Sequence, residues 1–147
     1  MLRLRFEPSE DGTGQLFATV TAHGFSGQGS AWFDTQTLHS FAQSLDVFPV
    51  SRDNPPHIAG GFWSQQIHNH LEQVHLSITI APRDSIGHLS VRVFVATPLE
   101  WNDPPESQLS ATVEFSTTYA VLQQFTHHLH KLLDGDLQEA ILPEAHV

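Results

Sequence analysis

At 147 residues, with 39% hydrophobic positions, ten Phe and three Trp, the chain has the apolar content to bury a sizeable core, and it is expected to fold as a single domain over 1–147. It contains no cysteine, which excludes disulfides, cysteine zinc sites and thiol catalysis. Sixteen acidic residues against six basic ones give a formal charge of −10, which argues against nucleic acid or an anionic membrane as partner and favours a neutral or basic one.

The N-terminal stretch "MLRLRFEPSEDGTG" has no apolar run of signal-peptide length, and nowhere do about 18 consecutive apolar residues occur, so a cytoplasmic location is expected. In "LRLRF", Leu2, Leu4 and Phe6 alternate with arginines, and in "QLFATVTA", Leu16, Ala18, Val20 and Ala22 alternate with Phe17, Thr19 and Thr21. Both patterns have the two-residue period of a strand with one buried face. A third strand, "GSAWFD", follows the glycine-dense "GFSGQG". Asp34 is then placed to cap a helix in which Leu38, Phe41, Ala42, Leu45 and Phe48 recur at three- and four-residue spacing before Pro49.

Downstream, "HIAGGFW" reads as a strand in which Gly60 and Gly61 mark a bulge or a close backbone approach. "QVHLSITI" and "HLSVRVFV" alternate cleanly and are joined by "APRDSIG", a turn-rich link ending in Gly87, so they form an antiparallel hairpin. "QLSATVEF" adds a further strand through Leu109, Ala111, Val113 and Phe115. After the Ser-Thr-Thr of positions 116–118, the stripe Tyr119, Leu122, Phe125, Leu129, Leu132 and Leu133 predicts a second helix that stops at Asp134-Gly135. The predicted class is α+β: a large curled, mainly antiparallel β-sheet with one helix after the third strand and one at the C-terminus.

The second helix carries "HHLH". At about 100° per residue, His127 falls opposite the apolar stripe, with His128 and His130 on its flanks, so the three face solvent or the rim without converging. In "IHNHLEQVH", His68, His70 and His75, with carboxylates completing the shell, form the set to consider for a metal-binding domain or metal-dependent enzyme. Other chemistry is thin. "GFSGQG" has Gln28 where a nucleophile elbow needs its last glycine and joins strand to strand, not strand to helix, "HNH" is three letters of a longer signature, and "DGDLQEAILPE" lacks the sixth-position glycine of a calcium loop. No catalytic acid–base pair and no cofactor motif emerges, and the reading leans away from an enzyme.

The succession "WFDTQTLHSFAQSLDVFP", "IAGGFW", "LSITIAPRDSIGHLSVRVFV" and "VEFSTTYAVLQQFTHHLHKLL" resembles the small bacterial proteins grouped as WapI-type immunity proteins and their uncharacterised relatives. The likeness covers most of the chain and is carried by Phe33, Phe41, Leu45, Gly87, Tyr119, Phe125 and Leu129, which also serve as core or turn positions. It implies a cytoplasmic bacterial protein that binds and blocks a toxin domain and performs no chemistry itself. An acidic chain suits a basic toxin domain, because complementary charge speeds and selects encounter.

Within the carboxylate clusters, the proline-bounded "TPLEWNDPPES" sets Trp101 among Glu100, Asp103 and Glu106. With Trp63 these are the candidate interaction residues, since aromatic anchors in a polar rim dominate interface energy. The plainer role for each tryptophan is to cap the core. A third reading, a small-ligand domain enclosed by the curled sheet and lined by aromatics, names no ligand.

Overall fold

The computed structural model describes residues 1–146. Its elements in chain order are β1 (Leu2–Pro8), β2 (Thr13–Ala22), β3 (Phe25–Asp34), α1 (Thr35–Leu45), β4 (His57–Trp63), β5 (Leu71–Pro82), β6 (His88–Ala96), β7 (Ser110–Thr118), α2 (Tyr119–Leu133) and β8 (Ala140–Leu142). The class is α+β, all strand pairing is antiparallel, and the helices follow the third and seventh strands. The strands divide between two four-stranded sheets, β3-β2-β1-β8 and β4-β5-β6-β7.

In the first sheet, the registers Leu2↔Val20, Leu4↔Ala18 and Leu16↔Ala31 put the alternating apolar residues on one face. Arg3, Arg5, Phe17, Thr19 and Trp32 take the other face, where the Arg5 guanidinium lies 4.8 Å from the centre of the Phe17 ring. His23 and Gly24, both at positive φ (53° and 84°), make the two-residue turn between β2 and β3, a backbone twist that suits tightly joined strands.

The second sheet repeats this logic through Ile58↔Ile78, Ile78↔Val93 and Val93↔Val113. Its β5–β6 turn is organised by Asp84, whose carboxylate accepts from the N–H groups of Ile86 and His88 and pairs with the His88 ring. Burial works against ionisation of Asp84, but those hydrogen bonds prevail and hold its pKa below the ordinary aspartate value.

The two inner faces meet along β3. A side chain at Gly27 would strike Val95 and Ala111, one at Gly29 would press on Val95 and the His75 carbonyl, and one at Gly60 would strike Ala31 and Phe33. Successive inward positions of β3 thus step across β7, β6, β5 and β4, so β3 runs crosswise over the second sheet. Glycine allows this approach because no Cβ stands between the backbones.

Each helix carries the chain from one sheet to the other, and the two pack on each other within the same core. Asp34 caps α1 by accepting from the Gln36 N–H at 2.9 Å, and Leu38, Phe41, Ala42 and Leu45 are buried. In α2, Leu122, Phe125, Leu129, Leu132 and Leu133 face the core. The helix ends with Gly135 at φ +85°, its N–H bonded to the Leu132 carbonyl and that of Asp136 to the Lys131 carbonyl, which satisfies two otherwise orphaned groups. One continuous cluster of buried side chains draws on every strand and both helices. Among the described residues, no helix is long and apolar enough to cross a membrane.

Candidate functional site

The strand registers bring two loops to one end of the second sheet. Trp63↔Leu71 places residues 64–70 there, and Ala96↔Ser110 places residues 97–109 beside them. The longer loop is held at its base by Thr97 and Leu109, which exchange backbone and side-chain hydrogen bonds. It is tied to β5 by Gln73, whose amide donates to the Leu99 carbonyl at 2.9 Å and accepts from the Leu99 N–H at 3.0 Å.

At the tip of that loop, the Asp103 N–H bonds to the Glu100 carbonyl at 3.0 Å, and the Asp103 carboxylate accepts from the Glu100 N–H at 2.9 Å. This closes a four-residue turn and lifts Trp101 into solvent at its first central position, with 93% of the residue exposed. Trp63 is 52% exposed, and Glu100, Asp103 and Glu106 are all exposed. Neither tryptophan belongs to the buried core cluster. The Lys and Arg residues of the chain are Arg3, Arg5, Arg52, Arg83, Arg92 and Lys131, so neither loop contains one, and the carboxylates here come from the longer loop and from Glu72.

His75 lies beneath this end. Gly60 pairs with Leu76 and Gly61 with Val74, so the bulge expected at the glycines inserts its extra residue in the partner strand, and that residue is His75. It is only 4% exposed, with the Phe62 ring edge-on at 4.5 Å. The Gln73 oxygen lies 2.9 Å from His75 Nε2 and can only accept, so that nitrogen carries the proton of the neutral ring. Burial pushes the His75 pKa below the ordinary histidine value.

Next to His75 a cleft of about 310 Å³ separates β3 from the loop end, bounded by Gln28, Ser30 and Trp32 on one side and by Phe62, His75 and Pro98 on the other.

The structure separates the proposed metal set. His68 and His70 are exposed in the 64–70 loop, whereas His75 is buried and engaged with Gln73. Among the described residues, no three His, Asp or Glu side chains gather as a metal-ligating group. On α2, His127 and His128 are exposed, and His130 bonds to Asp46 at the end of α1 at 2.9 Å. Core side chains from both sheets and both helices meet in one buried cluster, and the cleft beside His75 lies at the surface.

Sequence reasoning missed Gln73, Phe62, Trp32 and the cleft. Trp32 carried a usable signal, because it alternates with the buried Ala31 and Phe33 and so had to lie on the wetter face. Gln73 carried none, since its role depends on a loop brought to it from 26 residues away. Comparison of the chain with protein-family models, with curated proteins and with solved structures returns no match.

Proposed function

We propose that this protein is a non-catalytic interaction module of the immunity type, which binds a basic toxin domain in the bacterial cytoplasm and blocks it. The observation that carries the reading is the rigid loop 97–109, which displays Trp101 between Glu100 and Asp103 at an end of the second sheet that bears no Lys or Arg. An exposed aromatic held in place costs little entropy on binding, and a surrounding acidic rim selects a basic partner. The Gln73 clamp and the Thr97–Leu109 closure supply that rigidity. Trp63, at the end of β4 beside the 64–70 loop, is a second exposed aromatic at this end of the sheet.

Growth rescue tests the assignment. The protein is co-expressed with a toxin-like domain encoded beside its gene, and specific rescue is expected. Rescue should be lost in a folded variant carrying Trp101→Ala with Glu100→Gln and Glu106→Gln. Continued toxicity despite abundant folded protein and an active toxin would overturn the immunity role for that pair.

A further inference from the structure

We infer that the free edge of β3 takes up an extended, basic segment of a protein partner as an added strand. The inference rests on the reading of this end of the second sheet as a binding surface and specifies how the partner is held.

Strand phase provides the first argument. The two-residue turn at His23–Gly24 makes Ala22↔Phe25 a hydrogen-bonded pair, after which bonded and non-bonded pairs alternate. Gly27, Gly29, Ala31 and Phe33 therefore bond to β2, and the Thr35 N–H to Gly12 carbonyl bond at 2.9 Å continues the same phase. The N–H and C=O groups of Gln28, Ser30 and Trp32 point the other way, and β3 has no second neighbour in its sheet. The cleft beside them is lined by five successive β3 residues, 28–32, as an edge is and a single strand face is not.

The second argument compares the edges. Exposed edges are normally blunted by bulges, prolines, lysines or covering segments. β4 is bent by two register shifts, the Ala145 N–H bonds to the Ser116 carbonyl beside β7, and β8 spans three residues before Pro143. β3 has ten residues and carries no bulge, proline or lysine.

Chemistry of the walls sets the occupant. Trp32 and Phe62 offer aromatic surface for side chains of the added strand, and Pro98 joins the cleft to the loop that bears Trp101. Arg3 and Arg5 border Gln28, Gly29 and Ser30 on the outer face of the first sheet, whereas Glu100, Asp103 and Glu106 belong to the loop that Pro98 joins to the cleft, so Lys or Arg residues of the segment find complementary charge at the Trp32 and loop end.

The test selects a phage-displayed library of random dodecapeptides on the immobilised full-length protein. Selected peptides should be rich in Lys and Arg. N-methylation of backbone nitrogens at one set of alternate residues should weaken binding about tenfold, whereas methylation at the intervening set should leave it unchanged. Gln28→Pro, which removes an outward N–H without touching the β2 ladder, should weaken the same peptides. The N-methyl scan uses the unaltered protein and so stands even if that variant folds poorly.

No selected peptides, or peptides indifferent to both methylation patterns, would overturn the inference. Peptides lost in Trp101→Ala but unaffected by Gln28→Pro would confine binding to the loop, overturning strand addition while leaving the proposed function intact. A dimer seen by light scattering and lost in Gln28→Pro would assign the edge to a second copy and also overturn it. Failed growth rescue with the methylation pattern preserved would remove the immunity role and support the edge.

Discussion

His75 is a polar ring inside a strand, and its position follows from a bulge that inserts it between paired residues. Burial keeps the ring neutral and lowers its pKa, so in the window below about 6.5 the unfolded chain binds a proton there that the folded protein refuses. Stability from this group is therefore full above the ordinary histidine value and is lost as the pH falls toward the depressed folded value. Thermal midpoints measured from pH 7.5 down to 5 should decline more steeply for the native protein than for His75→Phe, and equal slopes would refute the assignment. Gly61 is the neighbouring constraint: a Cβ there would lie 2.0 Å from the Gln73 carbonyl oxygen. Gly61→Ala should lower unfolding free energy by about 1–3 kcal/mol, measured by urea titration, because backbone must shift to accept the methyl. Both effects were half legible in sequence: the paired glycines announced a bulge, but nothing local told which opposing residue would be extra.

Helix α1 begins where Asp34 accepts from the Gln36 N–H, and α2 ends where Gly135 turns left-handed. Asp34→Ala should cost about 1 kcal/mol by loss of the cap. Gly135→Ala should cost about 1–2 kcal/mol, since an alanine resists positive φ. Chemical denaturation of each variant checks the pair, and a neutral result for either would mean that the terminus is held by tertiary packing alone. The apolar stripe of α2 and its outward His127 and His128 were readable from the 3.6-residue period. β8 was not, because three residues bounded by a charged stretch and Pro143 carry too little period, and Ala140–Leu142 becomes a strand only by pairing with β1. His130 likewise meets Asp46 only because α1 and α2 pack together.

Across the whole molecule, stability and recognition reside in different places. Phe115 is 2% exposed within the core, and Phe115→Ala should cost about 3–5 kcal/mol. Trp101→Ala should stay within about 0.5 kcal/mol of the native stability, because the ring stands in solvent. Equilibrium unfolding compares the two, and a strongly destabilised Trp101→Ala would return that ring to a structural role. Sequence by itself determined the strands with clear alternation, the two amphipathic helices, their caps and the acidic character, because side-chain period and local backbone preference are written in neighbouring residues. Tertiary structure alone decided that the strands split into two sheets, that β3 crosses the second sheet on its glycines, and that Gln73 clamps the Trp101 loop above His75. Those features depend on contacts between residues far apart in the chain, where the close approach of one backbone to another, and not any local pattern, selects the arrangement.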